Sequence, residues 1–189
     1  MLFGGEAFTP AAAGIQNGTT LALADTWIWN GKTWAQAGEP SPLGTNPPAR
    51  YSATMAYDDA THQLLLFGGD QGGGVLPVLG DTWIWDGNVW KQATGTNPPA
   101  RYSASMAYDP VVRQLVMTGG GGLPLLGNGS AIPMSDTWIW GGKGWTKAAG
   151  TSPPAQDAMG NVPGNVPMVY DAVARQMLLH GYLRETWTW

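Results

Sequence analysis

The sequence predicts an all-β fold assembled from repeated four-stranded units, and three observations carry that prediction. An aromatic segment recurs along the chain, glycine pairs follow short apolar runs at the same phase of each repeat, and the composition combines many turn formers with many large rings. The 189 residues include 28 Gly, 15 Pro and 11 Trp, and only 12% are charged, about half the share of an ordinary soluble domain. A chain of this length can bury a real core as one domain.

The aromatic segment is Asp25-Thr26-Trp27-Ile28-Trp29, which returns as Asp81–Trp85, as Asp136–Trp140 and as Glu185-Thr186-Trp187-Thr188-Trp189. A further Trp stands five residues after the last Trp of the first three copies, at Trp34, Trp90 and Trp145. All eleven Trp fall at repeat positions, which scattered catalytic or ligand-stacking Trp would not do. Pro47-Pro48-Ala49-Arg50-Tyr51-Ser52-Ala53 is matched by Pro98–Ala104 and, in decayed form, by Pro153-Pro154-Ala155-Gln156-Asp157.

Each unit reads as four short strands. Tyr51–Tyr57 is the first, of mostly small residues, and Asp58–Thr61 is a turn. Gln63–Phe67 is an apolar run suited to a strand buried on both faces. Gly68-Gly69 then allows positive φ or close backbone approach. Asp81–Trp85 alternates Trp on one face with Thr and Ile on the other, Asp86-Gly87 signals a hairpin, and Trp90 opens the fourth strand. The chain order is strands 2-3-4, two complete sets of 1-2-3-4, then 1-2-3, with units at about 1–38, 49–93, 100–148 and 165–189.

The glycine pair, the apolar strand before it and the aromatic pair five apart, here Trp29 and Trp34, resemble the kelch-repeat β-propellers. The likeness extends over nearly the whole chain and is nearest the bacterial, galactose-oxidase-like type. It implies a propeller array of four blades, two complete and two three-stranded. That is fewer blades than the family's rings contain, so the resemblance implies completion by self-association, with a dimer favoured, unless the chain is a fragment of a longer gene. Unsealed ends would otherwise expose apolar faces.

The oxidase chemistry of that family does not carry over. There is no Cys for its crosslink, and the two His, His62 and His180, share no pocket in the expected order. His62 reads as a turn residue equivalent to Arg113 and Arg175, and His180 as a replacement of the first glycine of its pair. No metal and no cofactor is expected. Asp25, Asp81, Asp136 and Glu185 stand just before strands, where a carboxylate caps or bonds a neighbouring turn. The Trp rings read as packing between blades, with sugar stacking as the alternative.

Candidate ligand-binding residues lie where the chain enters the first strand, which the resemblance puts at the mouth of a central channel: Arg50, Tyr51, Ser52, Arg101, Tyr102, Ser103 and Gln156. Arg forks well onto carboxylates, and an internal salt bridge is the competing reading. The loops between second and third strands, Glu6–Ala24, Asp70–Gly80 and Gly121–Ser135, vary most and so suit binding. Their apolar runs Leu76–Leu79 and Leu123–Leu126 read as contacts with another chain or with the neighbouring blade. Asn17-Gly18-Thr19 and Asn128-Gly129-Ser130 match glycosylation sequons but read as turns.

A net charge of −4 without a basic stripe argues against nucleic acid. No apolar run reaches the ~20 residues of a membrane helix, and Met1–Gly5 lacks the features of a signal peptide. The expected function is a non-enzymatic binding or assembly module for a protein partner or a second copy. The alternative is a carbohydrate-binding or sugar-processing propeller. Far-UV circular dichroism should show a β-protein without helical minima; a strong helical spectrum would contradict the reading.

Overall fold

The computed structural model describes residues 1–9, 19–37, 46–72, 78–122, 131–150, 152–153, 166–180 and 186–188. The described residues form antiparallel sheets and contain no helix. The first sheet holds β1 (Leu2–Thr9), β2 (Thr19–Trp29) and β3 (Trp34–Ala37) in that order. The second runs β4 (Thr54–Asp58), β5 (Gln63–Phe67), β6 (Thr82–Trp85) and β7 (Trp90–Gln92). The third contains β8 (Ser105–Asp109) and β9 (Gln114–Thr118), followed by β12 (Thr137–Trp140) and β13 (Trp145–Lys147). Between β9 and β12 a two-stranded ribbon pairs β10 (Gly121–Gly122) with β11 (Ile132–Pro133). The fourth sheet is β14 (Met168–Asp171), β15 (Gln176–His180) and β16 (Thr186–Thr188).

The register repeats from sheet to sheet. Phe67 pairs with Thr82 and Leu66 with Trp83 in the second sheet, as Thr118 pairs with Thr137 and Met117 with Trp138 in the third. His180 pairs with Thr186 in the fourth, so it occupies the Phe67 position and not that of the first glycine, which corrects the sequence expectation. The first and second strands of each later unit are joined by one turn type. Asp58, Asp109 and Asp171 accept backbone N–H bonds from two residues on. His62, Arg113 and Arg175 close these turns at φ of 56, 58 and 57°, a left-handed conformation uncommon outside glycine.

Two expectations change in detail. The first variable loop, 6–24, is largely ladder: the β1–β2 pairing continues to Thr9 opposite Thr19. The first strand of the second unit begins at Thr54 rather than Tyr51, because Ser52 takes φ 53° and cannot continue an extended ladder. The runs Leu123–Leu126 and Leu76-Pro77 lie outside the described residues, as do both asparagines of the sequons. Val78 is buried and Leu79 half-buried.

The core lies between consecutive sheets. Because side chains alternate along a strand, Leu66, Trp83 and Trp85 face the first sheet, where with Trp90 they meet Phe3 and Ile28. Leu65 and Phe67 face the third and join Leu115, Met117, Trp140 and Trp145. The second sheet is thus apolar on both faces and packs against a neighbour on each. The strands β4, β8 and β14 lie next to one another along this series.

Burial of equivalent Trp differs with position in the stack. Trp85 and Trp90 are 6% and 3% exposed, whereas Trp29 and Trp34 of the first sheet are each 46% exposed. Replacing Trp85 by Ala should cost about 3–5 kcal/mol, as for other buried aromatics, while Trp29→Ala costs distinctly less because much of its ring already faces water. Urea unfolding of the two variants measures both values; equal losses would contradict this account of the core.

Candidate functional site: the arginine joints between sheets

The candidate residues fall on one repeated structure. The segment before each first strand lies across the preceding sheet. The Arg50 N–H donates to the Leu23 carbonyl at 2.9 Å, and Gly5 donates its N–H to the Arg50 carbonyl at 3.0 Å. One unit later, Arg101 donates to Leu79 at 3.1 Å and accepts from Gly69 at 2.9 Å. This close approach explains the glycine pair. A Cβ on Gly68 would stand 2.3 Å from the Arg101 carbonyl oxygen, and one on Gly4 2.4 Å from that of Arg50. Both glycines also have positive φ, 68° and 65°, so a side chain there is excluded twice over.

From that backbone anchor each arginine side chain reaches into its own sheet. Arg50 Nη1 and Nη2 donate to the two carboxylate oxygens of Asp81 at 2.7 and 2.9 Å. Nη1 also donates to the Gly68 carbonyl at 2.9 Å, and Nε to that of Pro48 at 3.0 Å. Arg101 repeats all but the second prong: Nη1 donates to Asp136 at 2.7 Å and to the Gly119 carbonyl at 3.0 Å, and Nε to that of Pro99 at 3.2 Å, while its buried Nη2 has no partner among the described residues. The indole N–H of Trp83 donates to Asp81 and that of Trp138 to Asp136, at 2.6 and 2.8 Å. Arg50 and Arg101 are buried to 0 and 1% exposure. These guanidinium groups are turned inward and form the internal salt bridges that the sequence offered as the competing reading.

The aspartates therefore serve as acceptors for an arginine from far back in the chain and for an indole in their own strand, rather than as caps of a neighbouring turn. Burial alone would push the carboxyl of Asp81 up, but the Arg50 fork and the Trp83 N–H outweigh it and hold the pKa below the usual range. Asp136 behaves likewise through Arg101 and Trp138, with Lys147 adding to the field. The pairing leaves a trace in the sequence: where Arg50 and Arg101 give way to Gln156, the aspartate gives way to Glu185. Gln156 and Glu185 lie outside the described residues.

The other candidates surround these joints. Ser52 and Ser103 have φ of 53 and 54°, and the Ser103 N–H donates to the Ser52 carbonyl at 2.8 Å, linking successive units near the first strands. Burial, followed by the nearby Asp70 carboxylate, raises the pKa of Tyr51 and of Tyr102. Among the described residues no three His, Asp or Glu side chains converge in a metal-binding group.

Asp25 is the exception among the aspartates. It accepts the indole N–H of Trp27, as its equivalents do, but its other carboxylate oxygen is buried and has no hydrogen-bond partner among the described residues. That oxygen, Oδ1, matches the one that takes Nη1 of Arg50 in Asp81 and of Arg101 in Asp136.

A second link joins the sheets through the fourth-strand Trp. Trp90 stacks edge-on against Phe3 at 5.3 Å and donates its indole N–H to Thr26 at 2.9 Å. Trp145 meets Phe67 at 5.8 Å and donates to Thr82 at 3.0 Å. Between the third and fourth sheets the gap instead holds a cavity of about 330 Å³, lined by Thr118, Met177, Leu179 and Trp187 among others.

No family model matches the chain, and no curated protein matches it. Among solved structures it is similar to one titled "Structure of YjhT", with a TM-score of 0.51 and 14% identity. The match covers 82% of this chain and 44% of that one, so the chain spans less than half the length of that relative.

Removing one partner of a buried ion pair strands the other. Asp81→Ala should therefore cost about 3–5 kcal/mol, while Asp25→Asn, at a carboxylate that meets no arginine among the described residues, should change stability by less than about 1 kcal/mol. Chemical denaturation of the two variants checks this; a large loss from Asp25→Asn would contradict the assignment. Because the folded pKa values of Asp81 and Asp136 are depressed, their contribution is complete above the unfolded value of about 3.9. It is lost as pH falls through the lower folded values. The Asp81→Asn, Asp136→Asn double variant should flatten the acid limb of a plot of stability against pH.

Proposed function

We propose that the chain is a non-enzymatic binding and assembly module of the kelch-type β-propeller class, acting through its outer sheet faces rather than through a catalytic pocket. The observation that carries this reading is the contrast between inner and outer surfaces. Inside, Arg50 and Arg101, the cations nearest a channel ligand, are consumed by Asp81 and Asp136. Outside, the first sheet leaves Leu2, Trp29 and Trp34 exposed at 54, 46 and 46%, an apolar patch of the kind that marks an interaction surface. The propeller arrangement is supported by the side-by-side first strands β4, β8 and β14 and by the repeated joints.

One feature favours the carbohydrate alternative. Trp29 and Trp34 form a tilted pair with centroids 5.5 Å apart, and exposed indole faces stack on sugar rings as readily as on protein side chains. A glycan array with the purified chain separates the readings. The interaction-module reading predicts no glycan captured through these rings. Micromolar binding of one glycan class, abolished by Trp34→Ala, would transfer the function to carbohydrate recognition.

A further inference from the structure

We infer that the two end faces of this chain form a self-complementary joint, in which Trp34 of one copy docks on His180 and Thr186 of a second copy. The inference rests on the assembly reading above and names the residues that would carry it.

Each inter-sheet joint has two halves. The later sheet supplies a fourth-strand Trp, and the earlier sheet supplies the threonine of its third strand with the second-strand residue paired to it. Trp90 uses Thr26 beside Phe3, and Trp145 uses Thr82 beside Phe67. The first sheet carries the Trp half at Trp34, which stays 46% exposed. The fourth sheet carries the other half at Thr186, paired with His180 in the same register. Both are exposed, and His180 Nδ1 lies 3.4 Å from Thr186 Oγ1.

The surroundings match as well. By register, Val169 and Leu178 share the face of His180 and Thr186, and Val169 is 58% exposed. On the opposing end, Trp29 packs against Trp34, and Leu2, paired with Trp27, shares their face by register and is exposed. Aromatic anchors of this kind dominate association energies. An imidazole edge offers Trp34 the aromatic neighbour that Phe3 and Phe67 offer Trp90 and Trp145, and Thr186 Oγ1 offers its indole an acceptor. The joint is heterologous, first sheet on fourth. Two copies satisfy it twice and close into a symmetric pair.

Native mass spectrometry at micromolar concentration tests the joint with two variants, Trp34→Ala and Thr186→Arg, each checked for folding by circular dichroism. The wild-type chain is expected to associate, and each variant alone to associate about tenfold more weakly or less. An equimolar mixture should recover a heterodimer, because Trp34→Ala keeps the fourth-sheet face and Thr186→Arg keeps the first-sheet face. If Trp34→Ala loses its fold, Trp34→Phe, which keeps a ring and removes the N–H, replaces it. A monomeric wild type overturns the joint but leaves the module reading to another partner. Association untouched by both variants, or lost in Trp34→Ala alone, overturns the joint while leaving self-assembly standing.

Discussion

The first three sheets of this protein depend on arginine-bearing segments that each belong to two sheets at once. The backbone of Arg50 is bonded to the first sheet at Leu23 and Gly5, while its guanidinium holds Asp81 in the second. Arg101 does the same between the second and third. The geometry needs a glycine where the arginine carbonyl lands, an aspartate at the start of the third strand, and an indole two residues on to occupy the second carboxylate oxygen. The conspicuous repeat elements, the glycine pair and the Asp-Thr-Trp segment, are thus parts of one inter-sheet contact. A buried ion pair contributes little net stability against a well-packed apolar substitute; its use here is to fix the relative position of two sheets.

The tryptophans supply most of the apolar burial between those positions. A stack whose elements pack on their neighbours behaves as a quasi-one-dimensional array. The first sheet leaves Trp29 and Trp34 exposed, and one carboxylate oxygen of Asp25 has no partner among the described residues. At the other end, the cavity between the third and fourth sheets lies against Thr118, the counterpart of Phe67, on which Trp145 rests.

Much of this was legible in the sequence, because the repeat places matching residues in phase and a sheet ladder converts phase into register. The second- and third-strand assignments, the hairpin turns and the turn closed by His62, Arg113 and Arg175 followed from that. The parts that were not legible depend on contacts between units. The partner of Asp81 lies 31 residues back, outside any local pattern, and only the joint change to Gln156 and Glu185 hinted at it. The β1–β2 ladder beyond Glu6 and the β10–β11 ribbon contain Gly, Ala and Thr without clear alternation, so periodicity was silent there. His180 was misplaced because its unit lacks the second glycine that would have set the alignment. Arg50 and Arg101 drew attention as ligand residues because a sequence shows an arginine's charge but not its burial.

The central claim is that stability resides in the joints between sheets rather than within each sheet, and native-state amide hydrogen exchange tests it most directly. The account predicts that β5, β6, β9 and β12, in the sheets with arginine–aspartate joints, exchange together through the most costly opening. The strands β1–β3 and β14–β16 should open at lower free energy. Equal protection across all four sheets, or strongest protection in the first or fourth, would contradict it.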